Sequence, residues 1–142
     1  MEPTQFFTTA ELLKDKPGES HLRTSVGRSY YAAFLYFREY LKSLGLEKKK
    51  NLTQDVHRFV IQCLQYSNVP EGSKASKYLH DLRQLRTDAD YRLDKKFSQN
   101  DADDAFAKAK ATIDNYTRSI TPQREAELIR QATVHAKQKD WI

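Results

Sequence analysis

Hydrophobic positions recur along much of this chain at the spacing of one face of an α-helix. The clearest stripe repeats every three or four positions and predicts a long helix over about residues 20–43. Its apolar members are Val26, Tyr30, Phe34, Phe37 and Leu41. Gly45, followed by the apolar Leu46, predicts a left-handed cap just beyond the end of this helix.

Capping residues indicate where the neighbouring helices begin and end. Residues 8–11 have the spacing of a capping box and predict the start of a short first helix, which residues 15–18 terminate. Residues 51–54 predict the cap of a third helix that ends near Tyr66. After a connection at residues 69–73, a fourth helix is expected over about residues 74–92.

Two further helices complete the predicted fold. Ser98 is expected to cap a fifth helix, and Pro122 suits the first position of a sixth. The buried face of the fifth helix is predicted to contain Phe106, Ala109, Ile113, Tyr116 and Ile120. We therefore expect an all-α, mostly antiparallel bundle of about five helices over residues 1–120, with a C-terminal helical extension over residues 121–142.

Composition supports a single helical domain. Only four glycines and four prolines occur in 142 residues, which favours long helices over a turn-rich β architecture. An apolar content of 39% is enough for one core. The single cysteine, Cys63, lies on an apolar helical face and is expected in that core. No apolar run is long enough for a membrane span and no leader pattern is visible, so the expected location is cytoplasmic.

Arg86 interrupts the apolar stripe of the fourth helix. On an ideal helix it lies within about 60° of Leu82, together with Leu79, Leu85 and Ala89. An unpaired guanidinium against an apolar surface would cost several kcal/mol, so Arg86 must meet a carboxylate, a subunit partner or a ligand phosphate. Asp90, four residues on, offers the ordinary structural explanation as an intrahelical ion pair.

Two segments resemble the HEPN family of helical domains, which are often encoded with minimal nucleotidyltransferases or found in toxin and defence systems. Residues 27–34, Gly-Arg-Ser-Tyr-Tyr-Ala-Ala-Phe, are similar to the second helix of the family, with its small residues and paired aromatics. Residues 82–91 are similar to its later arginine helix. His57 lies where many members carry a histidine, and the resemblance covers about residues 20–116.

The resemblance implies a homodimer whose two arginine helices form a shared basic cleft. In such a cleft Arg86 would bind phosphate, Asp88 and Asp90 would orient arginines, and Tyr91 would hydrogen-bond or stack with RNA. The expected catalytic set is therefore Arg86, Asp88 and Tyr91, and the expected RNA-binding set is Arg28, Arg83 and Arg92. Active members cleave RNA without a metal, through the ribose 2′-hydroxyl.

One position departs from the ribonuclease members, which carry a histidine a few residues after the arginine. Tyr91 occupies that position here. A phenol with a pKa of about 10 is a poor general base compared with imidazole. The favoured interpretation is an RNA-associated dimeric module of a toxin-antitoxin or defence system. A metal-independent endoribonuclease and a noncatalytic module that binds a nucleotidyltransferase remain the alternatives, and enzymatic activity is left open.

Charge is consistent with an anionic partner. The formal net charge is +5, and basic residues cluster at positions 48–50 and around Arg86. A basic surface that only faces solvent is the alternative explanation. The sequence has no zinc-type cysteine pattern and no glycine-rich phosphate loop, so neither a metal nor a cofactor is expected. The expected partners are RNA, a second copy of the chain, and a nucleotidyltransferase or antitoxin, without a membrane.

Overall fold

A computed structural model of the protein describes residues 1–50 and 55–142. Within these residues the chain forms six α-helices and no strand, which confirms the all-α prediction. The helices are α1 (Gln5–Lys14), α2 (Glu19–Ser43), α3 (Val56–Gln65), α4 (Pro70–Tyr91), α5 (Gln99–Ser119) and α6 (Pro122–Gln138). None of them combines the length and apolarity of a membrane-spanning helix.

The long helix α2 lies at the centre of the bundle and packs against α1, α4 and α5. Its predicted apolar stripe is buried along its whole length, from Val26 to Leu41. The predicted cap is also confirmed: Gly45 has φ 85°, and the amide of Leu46 donates to the Leu41 carbonyl at 2.9 Å. Leu46 is itself buried, as expected for the apolar contact behind such a cap.

Two predicted helix starts are wrong. Helix α1 begins at Gln5, so residues 8–11 lie within the helix instead of capping it. Helix α4 begins at Pro70, and most of the predicted connection at residues 69–73 is its first turn. Proline fits this first position because its φ is already helical and its missing amide hydrogen is not needed there.

The first turn of α4 contains Gly72, a residue type that usually indicates a loop. The turn packs closely on the end of α3, and a Cβ atom at Gly72 would lie 2.8 Å from the Leu64 carbonyl oxygen. A glycine is therefore required by packing and does not mark a break in the helix. The cap predicted at residues 51–54 lies outside the described residues, and the described N-cap of α3 is Asp55, which accepts from the His57 amide at 2.8 Å.

The starts of the last two helices agree with the prediction, since Ser98 caps α5 and α6 begins at Pro122. Ser98 and Asp101 form a reciprocal capping box at the start of α5, and the Thr121 hydroxyl accepts from the Arg124 amide at the start of α6. On the predicted face of α5, Ala109, Ile113 and Tyr116 are buried, while Phe106 and Ile120 are partly buried.

Helix α6 packs on α3 and covers one side of the bundle. His135 forms a 2.8 Å hydrogen bond with Gln62, and its ring stacks on Tyr66 at a centroid distance of 4.1 Å. Trp141 is buried with its ring 6.0 Å from that of Phe59. Cys63, also on α3, is fully buried as predicted, and burial raises the pKa of its thiol to about 12.

Candidate functional site

Arg86 lies against α2 at the position where that helix has no side chain. A Cβ atom placed on Gly27 would be 3.8 Å from Cγ of Arg86, an ordinary van der Waals distance, so the arginine side chain packs directly over this glycine. The Arg86 guanidinium carbon lies 5.3 Å from the centre of the Tyr31 ring, and that of Arg28 lies 5.1 Å from the same ring. We refer to Arg28, Tyr31 and Arg86 as the arginine–tyrosine cluster.

The charges of the cluster are only partly compensated. Asp90 Oδ2 lies 3.0 Å from Nε of Arg86, which confirms the expected intrahelical pair, but the geometry is not that of a hydrogen bond. The contact is therefore an ion pair that leaves the N–H donor free. Nε of Arg28 is likewise buried without a hydrogen-bond partner, and Arg28 forms no ion pair within the described part of the chain.

Two buried donors without acceptors are energetically unfavourable. An unsatisfied buried donor costs about 1–3 kcal/mol, and more when it carries charge. The cation–π contact with Tyr31 stabilises a guanidinium electrostatically but does not satisfy its N–H donors. The cluster therefore has hydrogen-bonding capacity that an anionic group could fill.

His57 approaches this cluster from α3. Its Nδ1 lies 2.6 Å from the Tyr30 hydroxyl, and its ring stacks on Phe34 at a centroid distance of 4.0 Å. The imidazole is also 5.9 Å, edge to face, from the ring of Tyr31. Burial lowers the pKa of His57, and the nearby positive charges of Arg83 and Arg86 lower it further. The imidazole is therefore neutral at neutral pH.

The Tyr30–His57 bond accommodates either neutral tautomer. Burial raises the pKa of Tyr30, so its phenol is protonated and able to donate to Nδ1. Alternatively, Nδ1 carries the hydrogen and donates to the phenol oxygen, which leaves Nε2 as a free base. Only the second arrangement makes His57 a proton acceptor towards a ligand.

Arg83, one of the expected RNA-binding residues, is held by Asp55. Its guanidinium forms an ion pair with the carboxylate that also caps α3, and its side chain remains 34% exposed. Arg83 also lines a polar groove of about 250 Å³ along α4, together with His80, Gln84 and Thr87. It is thus partly neutralised but still accessible.

The remaining predicted residues lie at the C-terminal end of α4 and do not contact Arg86. Asp88 accepts hydrogen bonds from Lys95 at 3.2 Å and Gln84 at 3.1 Å, and the Lys95 bond holds the pKa of Asp88 below its usual value. Its partner is therefore a lysine and not an arginine. Tyr91 is 72% exposed, and Arg92 pairs with Asp94 at 3.3 Å.

Arg23 is a structurally important residue that the sequence did not reveal. Its side chain reaches the end of α4, where Nη1 donates to the carbonyls of Ala89 at 2.9 Å and Arg92 at 3.1 Å. The guanidinium also lies 4.7 Å from the centre of the Phe97 ring. Because the last carbonyls of a helix have no partner within it, Arg23 fixes where the arginine helix ends. Its acceptors are backbone atoms distant in sequence, which no local motif indicates.

Within the described residues, no group of three or more histidine, cysteine, aspartate or glutamate side chains is placed to hold a metal ion.

The family model of the HEPN domain matches residues 5–119, which include α1 to α5 and the whole arginine–tyrosine cluster. No curated protein matches the chain significantly, and neither does any solved structure.

We expect the stability of the protein to fall as the pH drops below about 6.5 because of His57. The pKa of His57 is depressed in the folded state, so its stabilising effect is complete above the unfolded value of about 6.5 and is lost as the pH falls towards the folded value. Urea unfolding at several pH values would measure this loss. The His57→Gln variant should show a smaller loss over the same range.

His135 requires a matched control because burial lowers its pKa as well. His135→Gln should remove a separate part of the pH dependence, and the double variant should remove both parts. An unchanged pH dependence in His57→Gln would contradict the buried, neutral state of this imidazole.

Proposed function

Because the chain belongs to the HEPN family, we propose that it is an RNA-associated module that acts as a homodimer. The observation that supports this function best is the arginine–tyrosine cluster, in which two guanidinium groups share one aromatic ring and keep buried N–H donors without acceptors. The Arg86 side chain remains 24% exposed, and phosphate oxygens of an RNA backbone are suitable acceptors for the N–H groups of a guanidinium.

Arginine is the appropriate residue for such a role. Its planar guanidinium stays charged at any physiological pH, stacks on aromatic rings and offers several donors to a phosphate. The net charge of +5 adds a long-range attraction for a polyanion. Arg83 and the polar groove beside it extend the basic surface along α4. Arg92, 58% exposed at the side chain, lies directly after the last residue of α4.

The two copies of this dimer would pair through the C-terminal end of α4 and the residues directly after it. Tyr91 is 72% exposed and Leu93 is 80% exposed, next to the charged Arg92. Large apolar side chains beside charged ones at one place are typical of an interface. A two-fold axis there would bring the two Arg86 side chains towards a shared cleft, where Tyr91 could stack on RNA and Asp88 could hold the adjoining loop.

The biological setting belongs to the same proposal and is supported by family membership. The module would act in the cytoplasm as part of a toxin-antitoxin or defence system, with a nucleotidyltransferase or antitoxin as a further protein partner. A noncatalytic role that consists of binding such a partner is compatible with the tyrosine at position 91.

Metal-independent RNA cleavage is the second candidate function, and the position of His57 favours it. The imidazole is neutral, adjoins the Tyr31 ring that Arg86 contacts and has one nitrogen without a hydrogen-bond partner in the described chain. With Nδ1 donating to Tyr30, Nε2 could accept the proton of a ribose 2′-hydroxyl while Arg86 stabilises the phosphate. The 2′-oxygen would form a bond to phosphorus as the bond to the 5′-oxygen breaks, which gives a 2′,3′-cyclic phosphate, and the leaving 5′-oxygen would take a proton from water. His57 would then supply the base that Tyr91 does not.

We expect light scattering to give the mass of a dimer at micromolar concentration. Leu93→Glu should yield a monomer because it introduces a charge into the proposed interface. Leu12→Glu is the matched control, since Leu12 is also an exposed leucine, 62% accessible, but lies on α1. A monomeric parent protein, or equal dissociation in both variants, would contradict this interface.

RNA binding should depend on both arginines of the cluster. Arg86→Ala and Arg28→Ala should each weaken binding of a labelled single-stranded RNA by about tenfold, and each should reduce the salt slope by about one. Fluorescence anisotropy at several salt concentrations measures both effects, and circular dichroism verifies helicity.

Arg130→Ala is the control for charge alone. Arg130 lies on α6, is 67% exposed at the side chain and pairs with Glu127, so its removal changes the net charge equally without altering the cluster. Similar losses in all three variants would show that the cluster contributes no more than any other positive charge on the surface. Binding that does not respond to salt would show that contacts with phosphate do not drive it.

Cleavage should be tested with the parent protein in EDTA on structured and single-stranded RNA. If His57 is the base, products with 2′,3′-cyclic phosphate ends should form, and both His57→Gln and Arg86→Ala should abolish them, while Tyr91→Phe should retain activity. Loss in Tyr91→Phe alone would instead assign the chemistry to the phenol. Intact RNA that remains bound would favour the noncatalytic module.

A further inference from the structure

We propose that a second site, between the start of α4 and the end of α5, binds a small zwitterion that carries an ammonium group and an acidic group. The site is a cavity of about 290 Å³. Its lining includes Glu71, Lys74 and Tyr78 from α4 and Thr112, Asn115 and Tyr116 from α5. Its size is near the lower end of ligand pockets, which span about 300–1,000 Å³.

Glu71 provides the main observation. Its side chain is only 7% exposed, and one carboxylate oxygen, Oε1, accepts from Arg124 at 2.5 Å. The other oxygen, Oε2, is buried and receives no hydrogen bond from the described residues. A buried carboxylate oxygen without a donor is costly, and the terminal torsion of glutamate is soft enough to turn it towards a ligand. An ammonium group is the complementary partner.

Lys74 provides a positive charge one helical turn further along α4. Its Nζ lies 5.7 Å from the centre of the Tyr78 ring and forms no ion pair in the described chain. Lys108, whose Nζ lies 5.4 Å from the same ring, is instead paired with Asp81 at 3.3 Å. Lys74 is thus the lysine with an uncommitted charge at this cavity, and an acidic group would complement it.

The remaining walls are neutral. The Tyr116 hydroxyl donates to Tyr40 at 2.9 Å, and Tyr40 donates to Glu125 at 2.6 Å, so the hydrogens of both phenols are already used. Burial raises the pKa of Tyr116 to about 12, which keeps it uncharged. Asn115 forms no side-chain hydrogen bond within the described residues and offers both a donor and an acceptor.

This arrangement selects against a simple anion. The free Oε2 of Glu71 accepts hydrogen bonds but offers no donor to a phosphate or carboxylate that lacks an ammonium group, while Lys74 would disfavour a simple cation. A molecule with both charges, separated by a short linker, satisfies the two ends of the cavity together. The site is distinct from the arginine–tyrosine cluster and requires neither RNA binding nor a dimer.

Isothermal titration of the full chain with β-alanine, 4-aminobutyrate and 5-aminopentanoate would test the site across three spacings. At least one of them should bind saturably and about tenfold more tightly than n-butylamine or butyrate, because each control lacks one charged contact. Absence of saturable binding by all three zwitterions would overturn the proposal. Binding of butyrate as tight as that of the best zwitterion would also overturn it.

Two variants locate the binding. Glu71→Gln should weaken the best zwitterion about tenfold or more, whereas Glu127→Gln, which changes an arginine-paired glutamate outside the cavity, should not. Lys74→Met replaces an exposed residue and should reduce the affinity for the zwitterion to that for n-butylamine. It therefore tests the site even if Glu71→Gln is poorly folded. Unchanged affinity in Lys74→Met would exclude this cavity as the binding site.

Discussion

The close contact between α2 and α4 at Gly27 determines where the functional groups of this protein lie. The Arg86 side chain packs directly over Gly27, where an added Cβ atom would be in ordinary van der Waals contact with Cγ of the arginine. Four residues before this glycine, Arg23 caps the end of α4, and four residues after it, Tyr31 underlies the Arg86 guanidinium. Residues at this spacing share one face of a helix. One face of α2 therefore fixes the end of the arginine helix, its separation from α2 and the surroundings of its charge.

Local patterns were sufficient to predict the helices but not all of their starts. The stripe of α2, the Gly45 cap and the Ser98 cap depend on residues close in sequence, and these predictions were correct. The predicted start of α4 is wrong because a glycine at position 72 indicates a loop when only the sequence is considered. In the structure, packing against the end of α3 requires this glycine within the helix. Propensity is overridden in this way when a neighbouring element leaves no room for a side chain.

The candidate site was predictable to the extent that it depends on helix periodicity. The apolar surroundings of Arg86 and its pairing with Asp90 follow from spacing along α4. The direction of Arg28 did not follow, because its contact with Phe6 depends on how α1 and α2 pack, although its contact with Tyr31 lies within α2. The same limit applies to Asp88, whose partner Lys95 comes from the following loop, and to Arg23, whose acceptors are distant backbone carbonyls.

The two proposed sites lie near opposite ends of α4, which affects how they could influence each other. Fifteen residues separate Glu71 from Arg86, or roughly 22 Å at 1.5 Å per residue. This distance exceeds the Debye length of about 8 Å at physiological ionic strength, so direct electrostatic coupling between ligands would be weak. Any coupling would have to pass through a movement of α4 itself. Arg23 at its end and Arg124 near its start both resist such a movement. A ligand that displaced Arg124 from Glu71 would release one of these two restraints, and this makes α6 the element through which the sites could communicate.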